Sequence, residues 1–266
     1  DARQPSRKRA TWMMNRLAAS VAVGALVAAQ PASAAPAPLT EALDFWSNVL
    51  TGFVDEQGRT DFDALAVDRN ALDEFVAYVA SVSPASAPEL FPRGADVLAY
   101  HLNAYNALVM RGVIDERVTD GFTSFFKRQV FFRLRKVTVG GQAMSLSTYE
   151  NEVIRPLGEP RVHFALNCMV RSCPRLPQQQ FSADGLEAEL KAAAREFCND
   201  PRNVRVDAAA REVWLSSILD FYTEDFVPDG RRESLIEYVN RYRDEPIDLK
   251  LAVKFIPYDW TLNRQP

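Results

Sequence analysis

Apolar residues recur at helical spacing through much of this chain. Leu43, Trp46 and Leu50 predict a helix over residues 40–50, because a period near 3.6 puts them on one face. Leu72, Phe75, Val76 and Val79 do the same over 72–82. Val97, Leu98, Leu102, Tyr105, Leu108, Val109 and Val113 do so over 95–116, the longest such run. The stretch 186–197 is rich in Ala, Glu and Leu and reads as a helix on intrinsic propensity, and 233–242 is another. Strand signals are shorter: 136–139 ahead of Gly140-Gly141, 162–166, 204–206 paired with 212–215 across an Ala-rich turn, and 252–257. The elements alternate without a βαβ rhythm. The expected class is therefore α+β: a single helix-rich domain with a small, mostly antiparallel sheet.

The N-terminus changes the picture of where such a domain works. Met14-Asn-Arg16 is a positive start, Leu17–Ala29 is apolar, and Pro31-Ala-Ser-Ala34 ends in an A-x-A pattern. This is the anatomy of a secretory signal peptide over 1–34, with an upstream extension before Met14 and cleavage expected before Ala35. Its apolar core, about 13 residues, is shorter than the roughly 20 needed to span a bilayer. The expectation is a periplasmic or secreted domain over 35–266, with no stable transmembrane segment after processing. The whole chain carries a net charge of −4; removing Asp1, Arg3, Arg7, Lys8, Arg9 and Arg16 leaves −8. Such a balance excludes a general attraction for nucleic acid or anionic lipid.

The candidate chemistry is concentrated in 161–174, which holds His163, one of two histidines, and Cys168 and Cys173, two of three cysteines. A thiol near an imidazole supplies the materials of nucleophilic catalysis. In an exported chain, two thiols five residues apart equally supply a short disulfide loop, and metal ligation is a third reading. No H-x-x-x-H or paired C-x-x-C spacing supports a metal site, and no cofactor is implied. In an extended 162–167, His163 and Asn167 face away from Val162, Phe164 and Leu166. Cys168 then falls where the strand opens into a turn, and Arg171 and Arg175 would lower a thiol pKa if they folded over it. Cys198 reads as a small buried hydrophobe.

Three further groups bear on the site. Asn103 and Asn106 share a helix face beside Tyr100, His101 and Tyr105. They either pin that helix through buried hydrogen bonds or present amides to a histidine or a substrate carbonyl. Asn106, nearer the middle of the apolar pattern, is expected to be the more buried and the costlier to remove. Glu150, thirteen residues before His163, either orients that imidazole or is an acid near a helix N-terminus capped by Ser145 or Ser147. Asp225 and Asp259, set among aromatics, read as structural acids. Residues 122–136 interleave five Phe with Lys127, Arg128, Arg133, Arg135 and Lys136. That is either a basic aromatic lid for an anionic or glycan-peptide surface, or a crossover whose rings fill the core.

Several motifs carry a family resemblance. Leu102-Asn-Ala-Tyr-Asn-Ala-Leu108, Met144-Ser-Leu-Ser-Thr-Tyr-Glu-Asn-Glu-Val-Ile-Arg155, His163-Phe-Ala-Leu-Asn-Cys168 with Ser172-Cys-Pro174, Asp220–Phe226 and Tyr258–Asn263 occur in that order. Together they resemble the domain-of-unknown-function 547 family, from about Phe45 to Asn263. Asn151 stands where other branches of the family have histidine. The resemblance implies no settled activity, and a papain- or transglutaminase-like kinship is a fold-level analogy. Two functions follow as expectations. In the first, a thiol hydrolase or acyl-transferase works on a small-molecule, peptide or envelope substrate. Cys168 is its nucleophile, His163 its base, Glu150 or Asn103 orients, and Asn167 stabilises the oxyanion; Asn106, Tyr105 and Arg171 contact substrate. The second is a non-catalytic binding or scaffold module pinned by a Cys168–Cys173 disulfide.

Overall fold

The computed structural model describes residues 38–266; the expected signal peptide and its cleavage site lie outside the described residues. The described residues begin with α1 (Leu39–Phe53), α2 (Phe62–Val67) and α3 (Asn70–Ser81), whose buried residues share one core cluster with the central helix α4 (Gly94–Asp115). Helix α4 is buried on nearly every side between Leu98 and Val113. The sequence predicts a face there, and the structure provides an enclosed rod, because α1, α3 and the loops from 165 to 181 cover it. Asp96 caps its start by accepting from the Arg93 amide at 2.9 Å.

Both asparagines of α4 are buried, with about 1% exposure. Asn103 joins the Trp46 indole (3.2 Å) to the backbone N–H and C=O of Phe181 (3.0 and 2.8 Å). Asn106 holds the Ala165 carbonyl at 3.0 Å and accepts from the Asn167 amide at 2.8 Å. The expected ranking between them is therefore corrected: burial does not separate them, and Asn103 makes the more hydrogen bonds. Asn103→Ala and Asn106→Ala should each lower stability by about 1–3 kcal/mol, since each strands buried backbone groups. Chemical denaturation checks this, and an unchanged midpoint for either variant would count against it.

After α4, α5 (Phe125–Arg128) widens into a π-helical turn, Gln129–Leu134, and enters the hairpin β1 (Lys136–Val139) and β2 (Gln142–Ser145). A short α6 (Leu146–Thr148), capped by the Ser145 hydroxyl, widens in turn into a second π-helical turn, Tyr149–Ile154. Helix α7 (Leu186–Asn199) leads to the hairpin β3 (Val204–Asp207) and β4 (Glu212–Ser216). Then come α8 (Ser217–Phe221), α9 (Thr223–Phe226) and α10 (Leu235–Asn240), and last β5 (Ala252–Ile256) lies parallel to β4. The fold is helix-rich α+β, as expected, with two small sheets in place of one: β1-β2, and β3-β4-β5 with antiparallel and parallel pairs.

The expected strand at 162–166 is a correction. Pro160–Phe164 forms a 3₁₀ turn, with Pro160 at its start and the Glu159 carboxylate accepting from the Arg161 amide at 3.0 Å. The fixed φ of proline and this cap favour a turn over extended chain. A 3₁₀ turn does not alternate side chains between two faces. Val162 enters one core cluster, Phe164 enters the second, and His163 is held at the seam between them.

Candidate functional site

A cavity of about 390 Å³ opens along this seam. Tyr105, Glu150, His163, Cys168, Cys173 and Tyr222 all line it. They reach it from four places: α4, the second π-helical turn, the 3₁₀ turn with its following loop, and the α8–α9 junction. Tyr258 and Trp260 close it from the C-terminal segment.

The cysteine loop is held from several directions. The Asn167 side chain donates to the Pro174 carbonyl (2.7 Å) and accepts from the Met169 amide (2.7 Å). Met169 sits in the left-handed region, φ 61°, at a cost of about 1–2 kcal/mol. The C-terminal segment grips the same loop: the Asn263 amide donates to the Met169 carbonyl (3.0 Å) and the Arg171 amide to the Thr261 carbonyl (3.0 Å). This grip brings the Tyr258 hydroxyl to 3.4 Å from both thiols.

Cys168 and Cys173 are both free, with their Sγ atoms 2.7 Å apart. The Cys168 amide also donates to the Cys173 sulfur at 3.1 Å. The two thiols are not equivalent. The hydrogen bond with Cys173, burial, and the charges of Cys173 and Glu150 push the Cys168 thiol well up. Burial opposes ionisation of Cys173 too, but hydrogen bonds from the Cys168 thiol, the Tyr258 hydroxyl and backbone amides outweigh it and draw its pKa down. These hydrogen bonds favour ionisation of Cys173 over Cys168 and make Cys173 a candidate nucleophile beside the expected Cys168. Tyr258→Phe removes one donor and should raise the pH midpoint for alkylation of Cys173. Iodoacetamide kinetics followed by peptide mass spectrometry read that midpoint; a shift downward would contradict the assignment.

His163 stacks on Tyr222, with ring centroids 3.8 Å apart. Its Nε2 lies 2.7 Å from Asp225 Oδ2. Arg155 grips the same carboxylate with two donors, Nε at 2.6 Å and an Nη at 2.8 Å. Burial alone would raise the pKa of Asp225; the hydrogen bonds and charges of His163 and Arg155 hold it far below the usual carboxylate range. The acid that meets His163 is thus Asp225, and the expected Glu150–His163 contact is absent. Glu150 instead accepts from the Tyr222 hydroxyl (2.5 Å) and the Tyr105 hydroxyl (2.9 Å). The π-helical turn that carries Glu150 also delivers Arg155 to Asp225.

The other expected site residues are placed elsewhere. Asn103 points into the core at Phe181, and Asn106 supports the loop from behind. The Asn167 amide is committed to its own turn, which removes it as an oxyanion donor. Arg171 lines a separate groove with Asp259, and Arg175 pairs with Glu196. Neither of these arginines covers a thiol. His101 is buried against the Tyr149 hydroxyl at 2.7 Å, and burial pushes its pKa down to about 4. Cys198 lies in the second core cluster, its pKa pushed up to about 12 by burial. Among the described residues, no three side chains of the His, Cys, Asp and Glu kinds converge as on a metal ion.

Comparison with known proteins bears on the centre of this site. Residues 93–198 match the family described as "Protein of unknown function, DUF547". This segment is similar to that family. It supplies Tyr105, Glu150, Arg155, His163 and both cavity thiols, whereas Tyr222, Asp225 and Tyr258 come from beyond the matched residues. No curated protein and no solved structure matches the chain.

Asp225, Arg155, Tyr222 and Tyr258 are the site residues that sequence reasoning left out of the candidate site. The motifs Asp220–Phe226 and Tyr258–Asn263 held three of them. An acid among aromatics reads as structural until the histidine it faces is known.

Proposed function

We propose that the seam cavity is the active site of a thiol-dependent hydrolase or acyl-transferase acting on an amide or ester. The observation that carries this reading is a histidine fixed by a partly buried carboxylate, on the same cavity as a close thiol pair. Asp225 fixes the imidazole through Nε2, so Nδ1 is the nitrogen left for chemistry at the cavity. The Cys173 thiolate would add to the substrate carbonyl and form a C–S bond. The tetrahedral intermediate would then collapse to a thioester, its leaving group taking a proton from His163. In the second half, water or an acceptor amine or alcohol would pass a proton to His163 and add to the thioester carbonyl, and the C–S bond would break to free the Cys173 thiolate. The Tyr105 and Tyr222 hydroxyls, aligned on Glu150, wall the region where the carbonyl would sit.

The test is incubation of the reduced protein with 4-nitrophenyl acetate, followed by intact and peptide mass analysis. The expected result is a burst of 4-nitrophenolate with one acetyl group on Cys173. No acetylation of either cavity thiol would defeat the reading. The contact between the sulfurs supports the second function, a binding module whose 168–173 loop is closed by a disulfide in an oxidising compartment. Protein that stays inert to alkylation until reduced, and inert to the ester afterwards, would favour it.

A further inference from the structure

Phe125, Phe126 and Leu134 are 68%, 73% and 66% exposed, and Val130 between them is 38% exposed. They lie on one continuous helical run, α5 and the π-helical turn that follows it. Phe126, Val130 and Leu134 recur every four residues and so form a stripe. The core accounts for only part of this aromatic segment: Phe122 and Phe131 are buried, and Phe132 lines the cavity. Large apolar side chains left together in water form a patch that needs a partner.

The charges around the patch name that partner's sign. Residues 121–136 hold five cations and no acid, in a chain that is acidic as a whole. Arg135 is neutralised by Asp115 and Glu116. Among the described residues, no carboxylate lies within ion-pair distance of Lys127, Arg128, Arg133 or Lys136. A partner with negative charge at its surface and apolar depth beneath satisfies both halves of the patch, which is the description of an anionic bilayer. We propose that the segment Phe125–Lys136 docks the protein on an anionic lipid surface. The rings seat at the boundary between headgroups and acyl chains, and Lys127, Arg133 and Lys136 meet lipid phosphates, while Arg128 is held by the Phe122 and Thr123 carbonyls. Arg128, Gln129, Phe132 and Arg133 of the same segment also wall the thiol cavity, so docking places its mouth beside the membrane. The docking itself is independent of the thiol reading.

The experiment is sedimentation of the full chain with vesicles of phosphatidylglycerol and phosphatidylcholine, or of phosphatidylcholine alone. Binding is expected on the anionic vesicles and should weaken with salt. The double substitution Phe125→Ser/Phe126→Ser should lower the partition coefficient at least about tenfold. Lys127→Glu should lower it at least about fivefold, the loss expected for one cation near such a surface. Both sites are exposed, and unchanged thermal denaturation checks that the fold persists. Cys173→Ser should bind like the wild type, which separates failure of docking from failure of the thiol reading. The proposal is overturned if the patch variants bind as the wild type does, or if binding ignores lipid charge. It is also overturned if the wild type is a dimer without lipid and Phe125→Ser/Phe126→Ser makes it a monomer, since a second copy would then cover the patch.

Discussion

Cys173→Ser is expected to lose essentially all acetylation by 4-nitrophenyl acetate, while Cys168→Ser keeps a measurable part. The asymmetry follows from how the pair shares its protons. Cys173 receives the Cys168 amide, the Cys168 thiol and the Tyr258 hydroxyl, so ionisation is cheaper there than at Cys168. A serine at 173 would keep the position but not the acidity. Its hydroxyl is a far weaker nucleophile without strong base assistance, and a fall of at least about 10³ in rate is expected. A serine at 168 still offers a hydroxyl donor to the Cys173 sulfur, so a loss of about tenfold is the expected scale. Burst kinetics with mapping of the acetyl group distinguish the two. Exclusive acetylation of Cys168 would reverse the assignment of the nucleophile.

Asp225→Asn is expected to damage both stability and chemistry. The wild-type carboxylate accepts from His163 and twice from Arg155, and it is mostly buried. An amide cannot neutralise the guanidinium, and one end of it is a donor. A loss of about 2–3 kcal/mol is expected, in the range for hydrogen bonds to charged groups. The acetylation rate should fall by at least about tenfold, because the imidazole loses its fixed tautomer. The pH dependence has a definite sign. The pKa of Asp225 is depressed in the folded state, so its contribution is complete above the unfolded carboxyl value, about 3.9, and is lost as pH falls through the lower folded value. The gap in denaturation midpoint between wild type and variant should therefore hold from pH 7 to about 4 and narrow in stronger acid. A gap that widens in acid would mean that another group is responsible.

Some of this protein was legible in the sequence because neighbours along the chain decided it. The periodic helices α1, α3, α4 and α7, the Ser145 cap, strand β1 before its glycine turn and the β3–β4 hairpin depend on local spacing and turn chemistry, and the structure has them. The short α2, α8 and α9 helices and the first π-helical turn were not legible, since four to six residues carry too little period to detect; the stretch around Glu150 read as helical, but not as π-helical. The 3₁₀ turn at Pro160–Phe164 was misread as a strand because its alternating apolar residues serve two core clusters rather than one sheet face.

The site divides in the same way. The sequence determined that 161–174 brings thiols and an imidazole together, because they are neighbours in the chain. Only the tertiary structure decided their roles. Asp225 reaches His163 across 62 residues, Tyr222 reaches Glu150 across 72, and Tyr258 reaches the thiols across 85 and 90. Burial and these distant hydrogen bonds set the surroundings of each sulfur and put Asp225, not Glu150, against the ring, and neither exists until the chain has folded.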